Sequence, residues 1–185
     1  MRARVVISLG IIATLVWSLR AVALPTRSLP LISGGGSDLD NRSRAGFILD
    51  VLDAGEFSNR FAVNGIIDRR DIMAMFQVES RFDPNAINLN DGGQGNHAYG
   101  IGQMLASTAG DIGITDPNVL FDMETGIRAT MTYMVWIFDF LSRSFNRAPT
   151  RTEWIGAYNF GVGNAAAGRT NTGYLLLVDA AKVFL

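Results

Sequence analysis

The stretch MAMFQVESRFDPNA (residues 73–86) carries a carboxylate, Glu79, at the end of an apolar run and just ahead of a polar turn. Ile72, Met75, Phe76 and Glu79 fall at i, i+3, i+4 and i+7, so the acid shares the apolar face of a helix and not the wet face of Arg69 and Arg70. Burial disfavours a charged carboxyl, and so does the negative end of a helix dipole. Both effects raise a carboxyl pKa, and an acid that holds its proton near neutral pH can act as a general acid. The alternative is an acid at a helix end whose long side chain turns its head to water. Spacing alone leaves both open. Tyr158 and Asn159, in AYNFG (157–161), read on their own as a packing Tyr and an Asn at a helix end. The chain has no cysteine and a single His, His97, so neither a thiolate site nor a His cluster can form, and no metal is expected. The Gly triplet at 34–36 lacks the Gly-Lys-Ser/Thr of a phosphate loop and reads as tether.

The elements that must position these residues are helical. RAGFILDVLDAG puts Phe47, Ile48, Val51 and Leu52 on one stripe, with Gly55 as a stop. DRRDIMAMFQVES carries Glu79. DMETGIRATMTYMVWIFDFLSR (122–143) is apolar nearly all round, as a central helix of a small domain is. PTRTEWIGAYNFG opens with a capping box, Thr150 and Glu153, and stops at Gly161. TGYLLLVDAAKVF closes the chain. DPNAINLNDGGQGNHAYG (83–100) reads as one long irregular loop, and no strand alternation runs beyond a few residues.

The fold class expected is therefore mainly α, in a domain spanning 44–185. Ahead of it, residues 24–43 hold two Pro, three Gly and four Ser and read as a linker. Residues 1–23 have a basic start, an uncharged middle (5–19) and a small-x-small site at Ala21-Val22-Ala23, the form of a signal peptide. A retained anchor through residues 5–24 is the competing reading, with Arg20 snorkelling. Either places the remainder outside the cytoplasm, because Arg2 and Arg4 favour the inside. A net charge of -1, moving to -4 if Arg2, Arg4 and Arg20 leave with the leader, gives no global attraction to nucleic acid.

Three blocks taken together point further. They are Glu79-Ser80-x-Phe82-Asp83-Pro84-x-Ala86, then Ala98-Tyr99-Gly100-Ile101-Gly102-Gln103-Met104 with Thr108-Ala109, then Ala157-Tyr158-Asn159-x-Gly161. In order and spacing they resemble the lytic transglycosylases, the goose-lysozyme-like, soluble-transglycosylase-type domain that cleaves peptidoglycan. The resemblance covers residues 65–184. It implies a lysozyme-like helical fold, no cofactor, and glycan strands as the partner. Glu79 would be the sole catalytic acid and base, with Ser80 and Asp83–Pro84 setting the turn that holds it. Tyr99, Gln103 and Met104 would line the glycan cleft, with Gln103 the foremost sugar ligand. Asn88 would stand where the family has a Ser. Tyr158 and Asn159 would face Glu79, the Tyr hydroxyl close to the scissile bond.

Several positions depart from the family pattern. Gly102 replaces a Met, Ala106 a Pro, and the loop between Ala86 and Ala98 is longer. The Glu that often precedes the family's final Tyr is missing, with Thr170 and Asn171 nearby. Ordinary glycosidases use two carboxylates. Here Asp83 belongs to the turn, while Asp91, Asp111, Asp116 and Asp122 sit in loops or at helix starts, where acids serve as caps. One carboxyl fits the substrate-assisted exception, and the expected reaction is cleavage of the MurNAc-β-1,4-GlcNAc bond with closure of a 1,6-anhydro ring. A muramidase on the same fold and a non-catalytic, membrane-tethered peptidoglycan-binding protein are the alternatives. The domain's size and export segment suit local wall opening, in a phage virion or a secretion or conjugation apparatus.

Overall fold

A computed structural model of the chain describes residues 41–54, 65–90, 95–183 and 185. The expected leader or anchor, nearly all of the linker and the Gly55 stop lie outside the described residues. The helices are α1 (Asn41–Ala54), α2 (Arg69–Ser80), α3 (Ala106–Asp111), α4 (Met123–Phe145), α5 (Arg151–Phe160), α6 (Val162–Ala166) and α7 (Thr172–Lys182), with a 3-10 turn at Pro117–Phe121. None among the described residues is long and apolar enough to cross a membrane.

The core lies where the apolar stripes meet. Ile48, Val51 and Leu52 of α1 and Ile72 to Phe76 of α2 pack with Ile127, Met131, Met134, Ile137 and Leu141 of α4, Trp154 and Ile155 of α5, and Leu175 and Val178 of α7. Burial of each such side chain contributes about 1.5–3 kcal/mol before chain entropy is set against it. The indole N–H of Trp154 is not left unpaired in this core, since it donates to the Met134 carbonyl at 2.8 Å. Helix α4 is central, yet it is not apolar on all sides: Thr132, Trp136 and Asp139 form an exposed face.

Local signals end the helices as the chemistry requires. Asp116 and Asp122 cap the 3-10 turn and α4, and Thr150 with Glu153 forms the capping box of α5. Glu153 also meets Arg147, whose guanidinium, with the cap contacts, pushes its carboxyl down to about 2. Asp111 is different: it is the last residue of α3 and caps nothing at a helix start.

Two regions differ from the expectation. The segment 83–105 is not wholly irregular but holds three two-residue antiparallel strands, β1 (Ile87–Asn88), β2 (Ala98–Tyr99) and β3 (Met104–Leu105), in that order. Ile87 pairs with Tyr99, and Ala98 with Leu105. Strands this short have no alternation to detect. The second region is the charged opening of α2, where Arg69 and Arg70 are exposed as expected but Asp71, which the spacing does not single out, is only 1% exposed. Its carboxylate accepts from Arg151 at 2.7 Å and Lys182 at 2.9 Å, tying the start of α2 to the start of α5 and the end of α7.

Candidate active site

The apolar run of α2 stops at Ser80 because Arg81 and Phe82 turn left-handed, at φ 56° and 63°. Each such non-glycine residue is unfavourable by about 1–2 kcal/mol. Burial of the Phe82 ring offsets this, and so do hydrogen bonds from the Arg81 and Phe82 amides back to Gln77 and Phe76. The helix therefore ends ahead of Asp83–Pro84. That pair shapes the next turn, in which the Asp83 amide reaches the Ser80 carbonyl at 3.1 Å. Ser80 donates to the Ile101 carbonyl at 2.8 Å and so fastens the helix end to the 98–104 block.

Glu79, half-buried in this last turn, faces a cleft of about 250 Å³. It is lined by Gln103, Met104, Leu105 and Thr108 from the 98–111 segment, by Tyr133 of α4, and by Tyr158 to Gly161 at the end of α5. Glu79 is the only carboxylate among these lining residues. The Tyr174 hydroxyl donates to Glu79 Oε1 at 2.6 Å. Burial, then the nearby Glu79 charge, push the Tyr174 phenol far above its ordinary range, so it stays a proton donor.

Tyr174 was not among the expected site residues. The sequence signal for it is the spacing Asn171–Tyr174, a helix cap and its third residue, and the Asn171 side chain does accept from the Tyr174 amide at 3.1 Å. That spacing fixes where the helix starts, not what the ring meets. Asn171 also donates to Asn159 at 2.7 Å, so Asn159 joins Glu79 through Asn171 and Tyr174.

The other expected residues divide. Gln103, Met104, Tyr158 and Asn159 meet at the cleft. Gln103, at φ 48°, donates its amide nitrogen to the Ala86 and Gly100 carbonyls, both at 3.0 Å, which stiffens the loop. Its amide oxygen is the polar atom that remains to meet a ligand. The Tyr158 hydroxyl donates to the Gly102 carbonyl at 2.6 Å, and burial, then the Glu79 charge, push that phenol up as well. Asn88 and Tyr99 are not on the cleft. Asn88 is exposed on β1, where it accepts from the Asn90 amide at 3.1 Å. Tyr99 packs with Phe121, ring centroids 5.7 Å apart, in a satellite core of Met104, Ala109 and Leu120.

The departure at Gly102 has a steric cause. A Cβ there would overlap Thr130 Oγ1 and lie 2.9 Å from the Tyr158 hydroxyl. Thr130 is buried, β-branched, and bonded to the Gly126 carbonyl at 2.9 Å, so it cannot swing aside. Gly102→Ala should therefore destabilise the domain by about 2 kcal/mol, and Thr130→Ala in the same chain should restore part of the loss. Thermal unfolding of the two single variants and the pair checks this. Simple additivity would sink the steric account.

Among the described residues no group of three or more His, Asp or Glu could hold a metal ion. The family model for the transglycosylase SLT domain matches residues 58–174. No curated protein and no solved structure matches the chain. The family match spans more than half of the sequence and takes in Glu79, the other cleft-lining residues and Tyr174, so the chain belongs to the transglycosylase SLT-domain family, which acts on peptidoglycan.

Proposed function

We propose that Glu79 cleaves the MurNAc-β-1,4-GlcNAc bond of peptidoglycan by intramolecular transfer. The observation that carries this is a cleft with one carboxylate, Glu79, among its described lining residues, held by the Tyr174 hydroxyl. Glu79 protonates the glycosidic oxygen, and the GlcNAc chain leaves as an alcohol. The N-acetyl oxygen of the muramic acid stabilises the positive charge at C1, where a two-carboxylate enzyme would use its second acid. Glu79, now a carboxylate, takes the proton of the muramic O6 hydroxyl as that oxygen bonds to C1. The 1,6-anhydro ring closes, Glu79 is protonated again, and no water is consumed. Holding O6 against C1 supplies the effective concentration for ring closure. Mass spectrometry of the muropeptides released from purified sacculi tests the step. Anhydro ends are expected, and hydrated reducing ends would assign the site to a muramidase instead.

Within this reading Tyr174 is a positioning residue. Tyr174→Phe removes a hydrogen bond to a charged group, worth about 1.5–3 kcal/mol, and keeps the ring in the core. The rate of sacculus lysis, read well below the melt, should fall about 10- to 100-fold, with a smaller change in KM and a melting temperature lowered by about 5–10 °C. An unchanged rate would remove Tyr174 from the mechanism.

The setting follows from the segments ahead of the domain. A catalytic domain at 44–185, a tether at 24–43 and an export or anchor segment at 1–23 would deliver the enzyme outside the cytoplasm for local wall opening, in a virion or a secretion apparatus. The basic, then apolar, then small-residue pattern of 1–23 supports this. N-terminal sequencing of the membrane and soluble fractions tests it: a mature start at Leu24 means release, and an intact Met1 means anchoring.

A further inference from the structure

One wall of the cleft continues onto the open face of α4. Tyr133, which lines the cleft, lies near-parallel to Trp136, with centroids 5.6 Å apart and planes 16° apart. Trp136 in turn lies near-parallel to Phe140, at 5.5 Å and 25°. The three rings sit at i, i+3 and i+7 and form one apolar strip that starts at the cleft and runs toward the C-terminal end of α4. At the cleft end Tyr133 also meets Tyr158, with centroids 5.8 Å apart. Trp136 is 37% exposed, although a ring this large is normally well covered. Phe140 is half-buried, and Phe160 on the cleft wall is 41% exposed. Neither charge nor hydrogen bonding accounts for an indole kept at the surface in line with the site.

We propose that Trp136, supported by Phe140, is an outer glycan subsite that holds the strand beyond the sugars at Glu79. The occupant is chosen by continuity. A polymer bound at Tyr133 and Tyr158 must leave the cleft along some wall, and this strip prolongs one of them. The faces of β-1,4-linked N-acetyl sugars are largely C–H, and such faces pack against aromatic rings, while the equatorial hydroxyl and acetamido groups stay in water. A short oligomer would fill the cleft alone, and a longer one would also cover Trp136. The strip would therefore set a preference for long strands. The inference rests on the peptidoglycan reading of the site, but it concerns binding and does not need bond cleavage.

The test uses the full chain carrying Glu79→Gln, so that bound oligomers are not consumed, with β-1,4 N-acetylglucosamine dimer and hexamer as probes. Binding is followed by calorimetry and by tryptophan fluorescence. Adding Trp136→Ala should weaken hexamer binding by about fivefold or more and narrow the hexamer-to-dimer affinity ratio. Trp136→Tyr, which keeps a ring, should recover most of that loss and guards against a folding artefact. Equal hexamer affinities with and without the indole would overturn the proposal, and so would a loss of the same size on dimer and hexamer. Product analysis of the parent enzyme reports separately on cleavage. If no anhydro ends form but hexamer binding still depends on Trp136, the subsite stands and the transglycosylase reading falls.

Discussion

Glu79→Gln should leave the domain folded and lower lysis of purified sacculi by about a thousandfold, the scale of general acid-base catalysis. The amide has nearly the volume of the acid and still offers an oxygen to the Tyr174 hydroxyl, which now donates to Glu79 at 2.6 Å. The buried phenol thus keeps its partner, and stability should shift by no more than about 1 kcal/mol. What is lost is the exchangeable proton. No other described residue of the cleft can supply one, since Glu79 is the only carboxylate among the described residues that line it. Zymograms and turbidity loss of sacculi, beside a thermal melt, give the answer. Equal clearing by parent and variant would remove Glu79 from the reaction. No clearing by either would favour a binding protein that keeps the fold without turnover.

How much of this site could be seen in the sequence depends on what each residue answers to. Glu79 was visible because helix periodicity and the order of three motif blocks are both written along the chain. The stripes of α1, α2 and α4 were visible for the same reason, and so were the caps at Asp122 and Thr150. Contacts between distant segments were not. Tyr174 meets Glu79 across 95 positions, and nothing near Tyr174 states that its ring crosses to α2. Gln103 lines the cleft, but its motif does not tell that its amide nitrogen is spent on the Ala86 and Gly100 carbonyls, both at 3.0 Å. Tyr99 belongs to the cleft-lining block by motif, but its strand register aims it at Phe121. Gly102 looked like a lost side chain. Thr130 and the Tyr158 hydroxyl occupy the space a Cβ would need there, a contact between segments that the sequence does not state.

Asp71 is the strongest case of a distant contact, and its removal should have the largest effect on stability. In the sequence it is one charge among Asp68, Arg69 and Arg70 at a helix start, where acids are ordinary. In the fold it accepts from Arg151 Nε and Nη2, Lys182 Nζ and the Asp68 amide while almost wholly buried. Breaking a buried ion pair costs about 3–5 kcal/mol. Arg151 keeps Asp179 and Lys182 keeps Asp68, and both cations are partly exposed, so the low end applies. Asp71→Asn should therefore lose about 3 kcal/mol and about 10 °C in melting temperature, and a loss under about 2 °C would dismiss the network as a surface ornament. A functional consequence follows from the helix geometry. Helices α2 and α7 are pinned twice, by Asp71–Lys182 at one end and Glu79–Tyr174 at the other. The pins are eight residues apart on either helix, 71 to 79 and 174 to 182, which is about 12 Å of antiparallel contact. Weakening the far pin, so that only the Lys182–Asp68 contact at 3.2 Å is left there, should let α7 shift and carry its ring away from the acid. At a temperature well below the melt, Asp71→Asn should slow lysis in the parent yet add little in a Tyr174→Phe background, because the contact it protects is already gone. Equal slowing in both backgrounds would mean that Asp71 supports the fold alone and not the placement of Glu79.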